Sequence, residues 1–434
     1  MFAKINFHDE FYQKLKLLVL PITMQQFMLA LVSATDAIML GAVSQTSLSA
    51  VSLAGQIQFV LNLFISGISA GSGIMAAQYW GKKDAASIEE VMPIALRTNL
   101  IFSGAFTVFA AVAPEVLMRI FTSDPALIES GAVYLRAVSL SYLLCGISQI
   151  YLILLKNTGY ATVSSRISCT AVVVNIICNA ILIYGLFGLP ALGIQGAAYA
   201  TVAARLVELV WSYLETKQSG RVQIIWKKMF HAADAVLTKD FWRYTMPVLG
   251  AALVWGIAYV SYSVIMGHMG SDAVAANSIT TIAKNMLSCL IRGVSGGAGV
   301  LIGNLLGAGE LDKAKVYGGR LTRMAIVVGM TTGGLLMLIS PLIVRFAPLS
   351  DTAAEYLQYM LIFCGCNIMA QSVNTTVLDG IFCAGGDSKF DMKGNLGAMW
   401  CFSVPFGFFA AFVLKWPVMV VYCIVNLDEI VKIP

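Results

Sequence analysis

The sequence predicts an all-α polytopic membrane protein with twelve transmembrane helices in two six-helix lobes related by an internal parallel repeat. Of its 434 residues 58% are hydrophobic and only 12% charged, with a mean hydropathy of +0.80, whereas soluble domains average about 45–50% apolar and about 25% charged residues. Apolar runs recur along nearly the whole chain, and about 20 such residues cross a bilayer as a helix. The period-2 alternation of a barrel strand is absent. Finally, SAGSGIMAAQYWGKKD (Ser69–Asp84) is repeated in layout by SGGAGVLIGNLLGAGE (Ser295–Glu310), 226 residues later.

The first six spans are expected at 17–40, 53–76, 94–113, 132–155, 167–187 and 191–213. The opening MFAKINFHDEF is polar and charged and lacks a small-residue cleavage site, so the first span is retained rather than removed as a signal peptide. The second ends in Gly-Lys-Lys-Asp at 81–84, which marks its exit from the membrane. The second six spans are expected at 242–267, 275–303, 321–344, 355–378, 396–414 and 416–427; the last is short and would span only with tilt or local thinning. Nine cysteines fall within or at the ends of these segments with no C-x-x-C, and read as small buried hydrophobes.

Basic residues set the orientation, because cationic loops stay cytoplasmic. The segment before the first span, the loops and adjoining helix ends after even-numbered spans and the carboxy-terminal residues hold 21 of the 28 lysines and arginines, Lys432 among them. The opposite side has Arg119, Arg136, Arg345 and Lys415, while Arg205, Lys284 and Arg292 fall within spans. A multi-pass protein of the cell membrane with both termini cytoplasmic is expected. The net charge of +5 follows from this loop bias, with no nucleic-acid-binding pattern.

At the offset of 226, Pro21 meets Pro247, Gly41 meets Gly267, Gly67 meets Gly293, and Ser69, Gly71, Gly73 and Gly81 meet Ser295, Gly297, Gly299 and Gly307. An ungapped register of this length marks a duplication. Six spans per half is an even number, so both copies enter the membrane in the same direction. The expected organisation is a lobe at 1–214, a cytoplasmic linker at 215–240 and a lobe at 241–434. Parallel repeats are a common build for secondary transporters, with substrate between them.

Here the sequence resembles the multidrug and toxic compound extrusion (MATE) family. The resemblance rests on the paired segments above, Thr-Asp-Ala-Ile-Met-Leu-Gly at 35–41, Asn-Ile-Ile-Cys-Asn at 175–179, Gly-Ala-Ala-Tyr-Ala-Thr at 196–201 and Ala-Gly-Gly-Asp at 384–387. It implies twelve helices in a V-shaped pair of lobes and export of organic, amphipathic cationic compounds by alternating access, in antiport with Na⁺ or H⁺. It also implies a cation site in the amino-terminal lobe, carried over to Asp36, Asn175, Asn179 and Thr201. Many members have an aspartate where this chain has Asn179. One acid remains, and it suits one proton or one Na⁺ equally.

The residues themselves agree in kind. An ionisable group within a span costs at least about 2.5–3.5 kcal/mol near the bilayer centre. Asp36 lies five residues before Gly41, roughly 7 Å inside the outer end of its helix, as a cation-coupling acid or as an interfacial one. Asn175 and Asn179 share a helical face, and Thr201 lies at matching depth. Carboxylate, amide and hydroxyl oxygens together suit a hard cation, with Na⁺ as the candidate metal. In the second lobe Lys284 and Arg292, about 80° apart around one helix, with Tyr259 and Tyr262, are candidates for a substrate cavity. Lys284 is read as a counter-charge to a carboxylate, as a contact for anionic substrates, or as a lysine snorkelling to the outer interface. Asp379 is expected near the inner interface, and His8, His231 and His268 in the tail, linker and outer loop.

No H-E-x-x-H, paired intramembrane aspartates or nucleophile motif appears, so the chain is read as a monomeric transporter rather than an enzyme. No cofactor is expected beyond the coupling ion, and the expected partners are small organic substrates and membrane lipid. The alternative is a flippase for a lipid-linked or anionic substrate, for which three intramembrane bases are few.

Overall fold

The computed structural model describes residues 9–188, 190–230, 234–347 and 349–432. Lys4, His8 and His231 lie outside the described residues. Among these the chain is helical, with no strand. Its helices are α1 Glu10–Val43, α2 Gln45–Gly81, α3 Ala85–Val112, α4 Pro114–Arg119, α5 Pro125–Asn157, α6 Ala161–Tyr184, α7 Ile194–Thr216, α8 Ala235–Gly267, α9 Ser271–Gly307, α10 Leu311–Phe346 and α11 Asp351–Asn374. There follow α12 Ser388–Asn395, α13 Val404–Phe408, α14 Val418–Val425 and α15 Asp428–Val431. π-helical segments at Thr375–Phe382, Leu396–Ser403 and Phe409–Val413 extend α11 and flank α13.

The repeat register reaches well beyond the glycine motif. α2 and α9 each have 37 residues, and α2, α3 and α5 begin at Gln45, Ala85 and Pro125, each 226 residues before the start of α9, α10 and α11. Pro21 and Pro247, which are repeat mates, lie inside α1 and α8.

Ten of the described helices are long and apolar enough to cross a membrane. α7 has the length, 23 residues, but carries Arg205 and Glu208. The span expected at 416–427 is the short pair α14 and α15, with 8 and 4 residues. Two expected ends also move: α11 runs on in π form to Phe382, and its successor begins at Ser388 rather than 396.

The chain forms two compact units. One, here the N unit, is Phe27–Leu249; the other, the C unit, joins the segment ending at Gln26 to the residues from Gly250 onward. Each unit thus takes in half of a helix whose remainder lies in the other. In the N unit a Cβ on Gly71 would lie 2.6 Å from the Thr245 Cα, and one on Gly67 2.7 Å from the Leu249 Cα. In the C unit a Cβ on Gly293 would lie 3.1 Å from the Thr23 Cα, and one on Gly297 2.9 Å from the Val19 Cγ2. Since residues 19 and 23 are the repeat mates of 245 and 249, the glycine motif recurs because each copy seats the first half of a long helix at close approach. Only glycine permits that approach.

Within the N unit α5 packs against α2, α3 and α7, and its Tyr142 and Tyr151 are fully buried. The polar linker expected at 215–240 is packed down on this unit. Val222 and Ile224 are buried beside Phe241. The Trp226 Nε1–H donates to the Tyr151 hydroxyl at 2.7 Å, and Lys228 pairs with Glu90 at 2.6 Å.

Candidate functional site

Asp36 lies about four turns beyond Pro21 on α1, where the helix has entered the N unit. The polar face of α6 meets it there. Asn179 Nδ2 donates to Asp36 Oδ1 at 2.5 Å and to Asn175 Oδ1 at 3.1 Å; Asn175 Nδ2 donates to Thr201 Oγ1 on α7 at 3.4 Å. The Thr201 hydroxyl donates to the Ala197 carbonyl at 3.0 Å. The structure therefore brings the four sequence-predicted residues into one hydrogen-bonded chain across three helices. Asp36 is half-buried, whereas Asn175 and Asn179 are 4% and 1% exposed.

The Asn179 carbonyl oxygen is buried and has no hydrogen-bond partner. A buried acceptor without a donor is costly unless water or a cation completes it. The Asp36 carboxylate is bonded to the same amide, and the Thr201 hydroxyl lies further along the chain through Asn175; both are oxygen donors of the hard type that a small cation prefers. No group of three or more His, Cys, Asp or Glu fit to hold a metal ion occurs among the described residues. What the site offers is one carboxylate with neutral oxygens, sufficient for a monovalent cation or a proton.

A second polar cluster lies further along α7. Arg205 pairs with Glu208 at 2.7 Å. Glu208, 1% exposed, also accepts from the Ser148 hydroxyl of α5 at 3.0 Å and from Ser168 of α6 at 3.3 Å. Arg205 stood out in the sequence as an intramembrane base, but Glu208 did not. The available signal was their three-residue spacing, which pairs opposite charges on one helix.

In the C unit the candidate cavity residues divide. Tyr259 stacks on Trp255, with ring centroids 5.5 Å apart. Tyr262, Lys284 and Arg292 face acids: Tyr262 and Lys284 lie within electrostatic reach of Asp428 and Glu429, which the sequence did not single out, and Arg292 within reach of Asp379. Lys432, expected in a solvated cytoplasmic terminus, is instead 5% exposed, 3.4 Å from Asp428 and 3.5 Å from Glu429. Glu429 also accepts from Asn374 Nδ2 at 2.9 Å. Asp379, expected at an interface, sits in the π-helical segment and faces Asp391, Lys432 and Glu429. His268 lies just past the end of α8 and is exposed.

Comparison with known proteins agrees with this architecture. The MatE family model matches twice, at residues 21–181 and 247–409, two stretches whose starts differ by the repeat offset. The chain is 24% identical over 376 residues to the uncharacterized transporter YisQ of Bacillus subtilis, covering 86% of this chain and 82% of that protein. It is 23% identical to a probable multidrug resistance protein NorM of Bacillus cereus, covering 94% and 90%. Among solved structures, a MOP superfamily transporter from Pyrococcus furiosus superposes with a TM-score of 0.87 at 18% identity, covering 97% of this chain and 93% of that one. An outward-facing multidrug resistance MATE transporter superposes at 0.82 with 17% identity. With the family model spanning about three quarters of the sequence and the duplicated helices in register, the chain belongs to the MatE family of multidrug efflux transporters.

Proposed function

We propose that this protein exports organic, amphipathic cationic compounds by alternating access in exchange for a cation, with both termini cytoplasmic, and that the coupling cation is held by Asp36, Asn175, Asn179 and Thr201. The observation that carries this reading is the unpartnered, buried Asn179 oxygen beside the Asp36 carboxylate. The site asks for one positive charge, and exchanging that charge between the two sides of the membrane supplies the driving force. Relatives named multidrug resistance proteins support the substrate class.

Lys284 favours a cationic over an anionic substrate. Asp428 and Glu429 lie within its reach, so its charge is countered within the C unit. That also weakens the flippase reading, which needs free bases for a phosphate.

Efflux of a fluorescent cationic dye from proteoliposomes under an imposed Na⁺ or pH gradient tests the proposal. Wild-type protein is expected to move dye under one of the gradients, and Asp36→Asn to abolish that flux. Equal flux in the mutant would make Asp36 an interfacial acid without a coupling role.

A further inference from the structure

A cavity of about 700 Å³ opens in the N unit between α4 and the first turns of α5, within the size range of small-molecule sites. α4 and the turn after it contribute Glu115, Arg119 and Thr122, and α5 contributes Glu129 and Arg136. Spacings of four and three keep Glu115, Arg119 and Thr122 on one side of the helix, while Val116 and Ile120, four apart, fall on another. Both are exposed, at 61% and 69%, as is Val112 at the end of α3, at 75%. This stretch is therefore amphipathic, polar towards the cavity and apolar away from it, as a helix lying at a membrane surface is. α5 has 33 residues, about 50 Å, whereas the hydrocarbon core is about 30 Å thick. With its span expected to begin at 132, the first two turns of α5, Glu129 included, stand at headgroup level.

Arg136 pairs with Glu115 at 2.6 Å, which leaves Arg119 and Glu129 as one cation and one anion facing the same space. The Thr122 oxygen accepts from the Asp124 amide at 3.2 Å, so its own proton is available to a ligand. At the repeat offset Arg345 and Glu355 match Arg119 and Glu129, but Pro341 and Ile362 stand where Glu115 and Arg136 would be. The set of four charges thus belongs to one copy and is not demanded by the duplicated fold. We propose that this cavity binds the phosphoethanolamine headgroup of an outer-leaflet phospholipid, with the phosphate on Arg119 and the Thr122 hydroxyl and the ammonium on Glu129. A guanidinium holds phosphate through paired N–H donors. A primary ammonium donates hydrogen bonds to a carboxylate. The quaternary ammonium of a choline headgroup has no N–H and is recognised by aromatic faces, and among the described residues no Phe, Tyr or Trp lines the cavity. A headgroup without a cation would set its phosphate against Glu129. Exposed charge pairs contribute little alone; acyl chains covering Val112, Val116 and Ile120 add apolar burial. The choice of leaflet rests on the orientation proposed above, and the choice of headgroup does not.

Native mass spectrometry of the full chain in detergent, with phosphatidylethanolamine, phosphatidylcholine or phosphatidylglycerol added, counts the bound lipid. Wild-type protein is expected to hold one phosphatidylethanolamine about tenfold more tightly than either other lipid. Arg119→Ala and Glu129→Gln should each remove that preference, as loss of a charge-assisted hydrogen bond would. Arg345→Ala, at the repeat mate, should leave it intact. Arg119 and Glu129 are exposed, so the melting temperature is expected to hold; should Arg119→Ala lower it, Glu129→Gln carries the test. Equal retention of the three lipids, a preference unmoved by Glu129→Gln, or the same loss in Arg345→Ala overturns the site. Glycerophosphoethanolamine, the headgroup without chains, should displace the lipid only in large excess. Displacement at equal concentration would overturn the lipid and give the cavity to a soluble phosphoamine. Cysteine labelling that places Ser123 in the cytoplasm would overturn the leaflet alone, since the micelle result does not depend on orientation.

Discussion

Asn179 gives both amide hydrogens, one to Asp36 and one to Asn175, and keeps its oxygen for a ligand. Replacing it with leucine keeps the volume and removes the donor to the Asp36 carboxylate. A buried charged acceptor left without its donor costs about 1–3 kcal/mol, so Asn179→Leu is expected to lower the melting temperature and weaken gradient-driven efflux at unchanged gradient. Unaltered values for both would show that Asp36 draws its stabilisation elsewhere. Asp36, Asn175, Asn179 and Thr201 were singled out in the sequence because the family resemblance implies a site there and because helical period and depth below the membrane surface are countable from residue numbers. Asp428 and Glu429 were not, because their terminal segment reads as solvated, and Glu208 was passed over although its three-residue spacing from Arg205 was there to read.

At the scale of helices, close approach and capping set the tolerances. Gly71 on α2 has the Thr245 backbone 2.6 Å from where a Cβ would lie. Gly71→Ala therefore forces α2 away from α8, with overpacking costs of about 1–3 kcal/mol. Gly104 on α3 has nothing within 4 Å, and Gly104→Ala is expected to be stabilising by about 0.5–1 kcal/mol, the helix-interior preference for alanine. Thermal melting of the two variants should move in opposite directions. Asp84 caps α3: its carboxylate accepts from the Ser87 hydroxyl at 2.6 Å and from the Ser87 amide at 3.1 Å, which holds its pKa below the ordinary aspartate value. The folded state thus binds this proton more weakly than the unfolded chain. The cap contributes fully above the unfolded value of about 4, and its contribution fades as pH falls through the depressed one. Asp84→Ala should cost about 1 kcal/mol at neutral pH, with the difference from wild type shrinking in acid. A difference constant down to strongly acidic pH would mean that the carboxylate does not act as the cap.

For the whole molecule, the repeat was legible from an offset of 226 between glycines, but its purpose was not. Only contact between Gly67 and Leu249, and between Gly293 and Thr23, shows that the motif seats the first half of a long helix. Orientation is the remaining global property. The linker segment with Lys217, Arg221, Lys227 and Lys228 packs on one end of the N unit, and the turn between α4 and α5 with Ser123 belongs to the other by helix direction. The bias of basic residues assigns the linker end to the cytoplasm. Ser123 and Ser219 are both exposed, so in a background with the nine cysteines removed, Ser123→Cys should react with a membrane-impermeant maleimide added to intact cells. Ser219→Cys should react only after permeabilisation. The opposite pattern would invert the protein in the membrane. Asp36, near the end of α1 opposite the linker, would then lie towards the cytoplasm, and the cation would reach the proposed coupling site from that side.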